Sequence, residues 1–311
     1  MEHLCIKYDT LTLCFLGLRI YSRICKMKEP LENYQKSIYS QYGEDGIIEE
    51  ICRRLGISNG HCVEFGAWDG IFLSNVYNLL KNKGWSGTLI EGNSKKFQEL
   101  KVNMKDFSQV SCLNKWIGFE ENNSLETILK QQKVPPDFDV LSIDIDGVDF
   151  YVFESLSVYK PKIVIIEYNP TIPNEVEFVQ AKTFSISQGS SAKSIVKLAE
   201  NKGYKPVFCT SCNLIFVLNT YYDLVCDYDV SLDELRDDSP YKVFLFVGYD
   251  GTIFTSQPVK LLWHGGITVD SSKLQVIPML FRSFPDNKNM VLRKLQKIFL
   301  DWFVKKETKN R

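Results

Sequence analysis

The chain has 311 residues, 44% of them hydrophobic and 24% charged, with a formal net charge of −1. This is an ordinary globular composition, long enough for one large domain with extensions or for two small ones. The near-neutral charge gives no bulk electrostatic case for nucleic acid as a partner. Nine scattered cysteines include a single C-x-x-C pair, Cys209 and Cys212, with no second pair to complete a zinc site, so reduced thiols and a cytoplasmic protein are expected.

Residues 1–37 read as an N-terminal helical extension. Leu11 to Leu18 is apolar apart from Thr12, and Arg19, Arg23, Lys26 and Lys28 follow it. The run is far short of the ~20 residues that cross a bilayer, and its positive charge comes after the apolar part, unlike a secretory signal. No spanning segment is predicted. Peripheral membrane contact through residues 4–25 is the alternative to a helix packed on its own domain.

Ser40-Gln-Tyr-Gly-Glu-Asp-Gly46 precedes a helical face of Ile47, Ile48, Ile51, Cys52 and Leu55, with Glu44 and Asp45 near its positive end. Gln41 and Tyr42 belong either to a cap in front of the first strand or to a lid over a cofactor. The stretch His61-Cys-Val-Glu-Phe-Gly-Ala-Trp-Asp-Gly70 then reads as a buried strand ending in a glycine-punctuated turn. Leu73, Val76, Tyr77 and Leu80 recur after it at helical spacing. Strand, turn and helix make a nucleotide-type cradle, in which backbone N–H groups and a helix N-terminus face the ligand. Glu64, Gly66, Ala67, Trp68, Asp69 and Gly70 are its candidate cofactor-binding residues. The order Glu64, Gly66, Gly70 resembles the first motif of Rossmann-fold S-adenosylmethionine methyltransferases, with Trp68 where that family commonly has glycine.

Thr88 to Glu91 is a second strand, and its terminal acid lies 21 positions beyond Gly70. An acid at that strand tip can accept both ribose hydroxyls of an adenosine ligand. A third strand, Val110 to Leu113, leads into Asn114 and Trp116, which stand where an adenine would sit. Ser124 to Lys133 reads as a helix stopped by Pro135-Pro136. Phe138 to Asp144 and Pro161 to Glu167 follow as near-continuously apolar strands of the kind covered on both faces. Strands alternating with helices predict a parallel sheet, which gathers Glu64, Glu91, Asp144, Asp146, Glu167 and Asn169 on one rim. A terminal antiparallel pair, Tyr204–Cys209 and Asn213–Leu218, completes a Rossmann-like α/β fold: a mostly parallel seven-stranded sheet with helices on both faces. The domain boundary is placed at 222/223. Beyond it, residues 223–311 form a small α+β extension with a hairpin over 243–254 and a terminal helix over 291–304.

Ser40 to Gly46, Val63 to Gly70, Gly84-Trp-Ser-Gly87 with Leu89-Ile-Glu91, Ile143-Asp-Ile-Asp-Gly147 and Val164 to Pro170 together resemble the FkbM-like methyltransferases. More narrowly, they resemble the bacterial group whose N-terminal motif is S-Q-Y-G-E-D-G. The resemblance covers roughly residues 38–220, and the group's tail also carries a Trp-His-Gly turn. It implies S-adenosylmethionine as cofactor, and O-methylation of a sugar or related hydroxyl in surface-polysaccharide or secondary-metabolite biosynthesis. The acceptor is then a small molecule or glycan, with Glu167 and Asn169 as candidate contacts.

Three readings of the fourth strand's tip, where Asp144 is also a candidate cofactor contact, stay open: Asp144 or Asp146 is a base for the acceptor hydroxyl, the two hold Mg²⁺ or another divalent cation, or Asp144 fixes the loop. His264, beside two glycines in a turn, is a further candidate base. Asp144-Ile-Asp146 is also the acidic pair with which nucleotide-sugar glycosyltransferases hold a metal. The bulk of Trp68 leaves room for a non-catalytic methyltransferase-like scaffold.

Overall fold

The computed structural model describes residues 28–227, 230–282 and 290–309. The 4–25 stretch, and the N-terminal extension up to residue 27, lie outside the described residues. In chain order the main elements of the first part are α1 (Glu44–Arg54), β1 (His61–Phe65), α2 (Tyr77–Lys83), β2 (Ser86–Glu91), α3 (Ser94–Asn103), β3 (Val110–Asn114), α4 (Leu125–Gln131), β4 (Val140–Ile143), α5 (Asp149–Ser155), β5 (Ile163–Glu167), α6 (Ala192–Asn201), β6 (Tyr204–Cys209), β7 (Asn213–Leu218), α7 (Asn219–Val225) and α8 (Leu232–Leu235). After them come β8 (Leu245–Val247), β9 (Ile253–Thr255), β10 (Val259–Lys260), β11 (Thr268–Val269) and α9 (Met290–Lys309).

β1 to β7 form one sheet in the order β3-β2-β1-β4-β5-β7-β6. The first five strands are parallel, and β7 runs antiparallel between β5 and β6. This is the expected fold class, closed by the expected antiparallel pair. The strand sequences explain the burial. Ile163, Val164, Ile165 and Ile166 are all fully buried because β5 is covered on both faces, and alternate residues feed two separate cores. Ile163 and Ile165 join one with Ile47, Ile48 and Ile51 of α1 and Leu80 of α2. Val164 and Ile166 join the other with Leu125 of α4, Phe153 of α5 and Ile195 of α6. Pro206 is tolerated because β6 is an edge strand, and the register slips beside it.

Two details differ from the sequence reading. The helix expected directly after Gly70 begins only at Tyr77, so a long irregular turn separates it from β1. Trp68 and Leu73 hold positive φ there, at 51° and 58°, which no helix accommodates. The boundary expected at 222/223 lies between Asp238 and Ser239, because the segment after β7, including α7, packs with the first unit. The second unit, Ser239–Arg311, contains the expected hairpin as β8–β9 and the terminal helix as α9. The pair β10–β11 flanks the Trp263-His264-Gly265-Gly266 turn. The six described cysteines are free thiols, and no helix among the described residues is long and apolar enough to cross a membrane.

The start of α1 does more than complement the helix dipole. Asp45 Oδ2 accepts the N–H groups of Ile38, Tyr39 and Ser40 at 2.8, 2.7 and 2.8 Å and the Ser40 hydroxyl at 2.9 Å. Glu44 accepts the Thr210 hydroxyl at 2.7 Å and the Asn213 side-chain amide at 3.1 Å, joining α1 to the β6–β7 turn. Asp45→Ala would strand those donors, the Ser40 pair in a buried site and the other two in a half-buried one. We expect a loss of ~3 kcal/mol in urea unfolding, several times that of a surface substitution.

Candidate active site

The strand order reverses between β1 and β4, and ligands in such sheets sit at that crevice, outside the carboxyl ends of the strands. A cavity of about 440 Å³ lies there. Glu64, Gly66, Ala67 and Trp68 line it from the end of β1, Glu91, Gly92 and Asn93 from β2, Trp116 and Ile117 from the loop after β3, and Asp144, Ile145 and Asp146 from β4. Gly66 makes the crevice close. Its φ is +82°, and a Cβ on it would stand 1.7 Å from the Asp144 carbonyl oxygen, so the two turns lie against each other only because the residue is glycine.

On the β1–β2 side, the carboxylates organise backbone. Buried Glu64 accepts the Ser74 hydroxyl at 2.6 Å and the Asn75 N–H at 2.9 Å, pinning the turn that precedes α2. Burial pushes its carboxyl up to about 7, against the opposing pull of those two hydrogen bonds. Glu91 accepts the Trp68 N–H at 2.8 Å on one oxygen and the Asn93 N–H at 2.6 Å on the other, so both strand-end turns converge on it. Each oxygen keeps a lone pair for a ligand hydroxyl. The Trp68 ring, 45% exposed, lies under Lys96 Nζ at 4.5 Å and forms a wall of the cavity without filling it.

On the β4–β5 side, Asp144, Asp146 and Glu167 each present a carboxylate oxygen, all within 4.8 Å of one another. Burial and the neighbouring carboxylates raise Glu167 far above the usual range, so it keeps its proton and shares it with Asp144. Burial, and then the Asp146 charge, raise Asp144 to about 6. Asp146 is exposed, with φ of +58°. Its turn is held from behind by buried Asp149, whose two oxygens accept the N–H groups of Ile145 and Gly147, each at 2.9 Å. Of the four described non-glycine residues with positive φ, Trp68, Leu73 and Asp146 line this cavity; strain of this kind concentrates where geometry is functional.

The structure therefore brings Glu64, Gly66, Ala67, Trp68, Glu91, Asp144 and Asp146 to the cavity, with Glu167 beside the aspartates. Other candidates lie elsewhere. Gln41 and Tyr42 pair with each other on the surface, Nε2 to hydroxyl at 3.1 Å, and do not line the cavity. Asp69 caps its own turn through the N–H groups of Ile71 and Phe72, and Gly70 faces Leu100. Asn114 is spent on the carbonyls of Glu91 and Gly92 at 2.8 and 3.2 Å, leaving its neighbour Trp116 to cover Gly92. Asn169 holds Thr171 and the Gln188 carbonyl. His264 is exposed in the second unit and is not among the cavity residues.

Sequence reading missed Ser74, Asn75, Asp149 and Phe184. Phe184 comes from residues 171–190, which have no periodicity. Buried Gln180 orders that loop by accepting the N–H groups of Gln188 and Gly189 at 2.8 and 2.9 Å, and Phe184 stacks on Phe119 at 4.7 Å.

Glu64 and Asp149 are both pushed to about 7 by burial. Unfolded carboxyls titrate near ~4, so the folded protein holds more protons than the unfolded chain between ~4 and ~7. Stability is therefore full below that window and lost as pH rises through it. His61, lowered by burial, opposes this as pH falls below its ordinary value, one group against the four raised carboxyls of Glu64, Asp144, Asp149 and Glu167. In buffer with EDTA, the melting temperature should fall by about 5 °C between pH 5 and pH 8, and Glu64→Gln should flatten the slope. A midpoint that rises over that range contradicts the buried-carboxyl account.

No curated protein matches the chain. Among solved structures it is similar to a SAM-dependent methyltransferase from Aquifex aeolicus, at 12% identity over 60% of this chain and 94% of that one, with a TM-score of 0.36. It is similar to another from Clostridium acetobutylicum, at 9% over 66% and 99%, TM-score 0.37. It is also similar to TrmK of M. capricolum, solved with S-adenosyl-homocysteine, at 12% over 54% and 66%, TM-score 0.34. These likenesses are loose, and the fold assignment stands on this chain's own strand order. Residues 119–206, the stretch that supplies Asp144, Asp146, Asp149 and Glu167, match the family model described as the Methyltransferase FkbM domain. Over that stretch, which lies inside a sheet of this order, the chain is similar to the FkbM-like methyltransferases.

Proposed function

We propose that this methyltransferase takes its methyl group from S-adenosylmethionine in the β1–β4 crevice. The acceptor is the hydroxyl of a sugar or related small molecule or glycan, in surface-glycan or secondary-metabolite biosynthesis. The observation that carries the reading is the contact of Gly66 with the Asp144 backbone. It sets the nucleoside-type cradle of Glu64, Gly66, Ala67, Trp68 and Glu91 directly beside the acidic group of Asp144, Asp146 and Glu167. Glu91 would receive the ribose hydroxyls, and Trp116 and Ile117 would flank the base. The carboxylate rim favours the cationic sulfonium over the neutral product, which helps the donor enter and the product leave.

Methyl transfer is an in-line displacement. The acceptor oxygen forms a bond to the methyl carbon, the carbon–sulfur bond breaks, and its electron pair returns to sulfur. The chain's chief task is alignment and exclusion of water. The acceptor proton must go to a base. Asp144, kept ionised by the proton on Glu167, and exposed Asp146 are the groups placed for it. A second use of the same atoms is supported by their spacing: three carboxylate oxygens within 4.8 Å suit a hard divalent cation such as Mg²⁺, held by Asp144, Asp146 and Glu167. Bound there, such an ion would lower the acceptor hydroxyl's pKa. The glycosyltransferase reading has no support in a sheet of this order, and the open cavity beside Trp68 argues against a blocked scaffold.

Calorimetric titration with S-adenosylmethionine and S-adenosylhomocysteine should give micromolar binding, weakened about a hundredfold by Glu91→Ala in protein that melts normally. Asp144→Asn and Asp146→Asn should keep affinity for S-adenosylhomocysteine, weaken S-adenosylmethionine binding only modestly, and lose at least about a hundredfold in transfer to a sugar acceptor. Transfer that survives EDTA removes the cation. A folded chain with no affinity for either cofactor form overturns the proposal.

A further inference from the structure

The near-neutral total charge conceals a division. Residues 239–311 carry 12 Lys and Arg against 5 Asp and Glu, a formal +7; residues 1–238 carry 25 against 33, a formal −8. The basic unit also exposes apolar surface. Along α9, Val291, Leu295, Ile298 and Trp302 recur at i, i+4, i+7 and i+11 and are 68, 47, 65 and 56% exposed. The helix packs chiefly by the neighbouring face, and Trp302 at the end of the stripe also lies 6.3 Å from the Phe299 ring. Phe299 stacks on Phe281 with ring centroids 4.7 Å apart, Phe303 lies 5.9 Å from Phe299, and Gln296 donates to the Phe281 carbonyl at 3.0 Å. Lys294 and Lys297, both exposed, lie on the opposite side of the stripe from Phe299 and Phe303. In the same unit β8 leaves Leu245, Phe246 and Val247 exposed, and the β10–β11 turn exposes Trp263.

From this pattern we infer that the second unit docks on an anionic lipid surface through the exposed stripe of α9. A helix that lies in a headgroup layer has this form: an apolar stripe with an interfacial Trp, a cationic flank whose long stems reach lipid phosphates, and too little apolar length to span. The charge of the whole unit selects the anionic leaflet. A second copy would bring an identical +7 unit to a two-fold contact, where like charges oppose association. This surface is made of residues other than 4–25, and the inference does not depend on the chemistry of the crevice.

The test is sedimentation of the full chain with vesicles of phosphatidylcholine alone or with about a third phosphatidylglycerol. We expect at least about tenfold stronger partitioning onto the anionic vesicles, weakening as salt rises. Ile298→Asp should abolish it. Lys294→Glu with Lys297→Glu should reduce it at least about tenfold while leaving the apolar stripe and the melting temperature unchanged, so the charge variant carries the test even where Ile298→Asp fails to fold. Absence of partitioning, equal partitioning onto both vesicles, or a wild-type dimer in light scattering that Ile298→Asp makes monomeric without vesicle affinity would each overturn the inference. Capture by an acidic protein with no vesicle affinity would do the same.

Discussion

The structure depends on how closely two backbone turns can approach each other. Parallel strands set their neighbours' ends side by side, but the turns leaving β1 and β4 would collide if both carried side chains at the crossing. Gly66 removes the obstacle, and the Asp144 carbonyl occupies the space a Cβ would have taken. One side of the crevice then belongs to β1 and β2 and the other to β4 and β5. The aspartates that serve one side are held at a fixed distance from the cradle of the other. Any displacement of this contact separates the two halves of the site before it alters either.

Around that contact the protein repeatedly uses buried carboxylates as acceptors for loop backbone. Asp45 gathers residues 38–40, Glu64 fixes Ser74 and Asn75, Glu91 joins the turns of β1 and β2, and Asp149 shapes the loop that carries Asp146. Loops have no ladder partners, and a buried N–H group left unpaired is costly, so an acid at the base of each loop both satisfies it and dictates its shape. The arrangement has an electrostatic cost, visible in the raised carboxyl pKa values of Glu64, Asp144, Asp149 and Glu167. A cationic ligand near these groups relieves part of it, which ties the stability of the rim to its occupancy.

The fold was legible because its signals are local. Apolar runs such as Ile163 to Ile166, separated by helical patterns, identify parallel strands, and the short link between Cys209 and Asn213 identifies the closing antiparallel pair. The acidic residues at strand ends were legible for the same reason, since a parallel register puts Glu91, Asp144 and Glu167 on one rim. What sequence could not resolve was where polar side chains on loops turn. Asn114 and Asn169 look like ligand contacts from their strand-end positions, yet both are used by nearby backbone. Asp149 reads as the first residue of a helix, and only its burial behind Asp146 reveals its role. Phe184 reaches the cavity through a loop ordered by Gln180, a long-range consequence of one buried amide that leaves no periodic trace.

Pro206 and the register slip beside it have a consequence for the behaviour of the chain in crowded solution. An open sheet has two margins, and each is a template on which another chain's strand can grow. At β6 a residue without an N–H group and a broken register interrupt that template, so growth from this margin stalls after a few residues. The margin at β3 has no proline and keeps an uninterrupted register with β2. Of the two margins of the seven-stranded sheet, the one at β3, Val110–Asn114, is therefore the more open to strand addition.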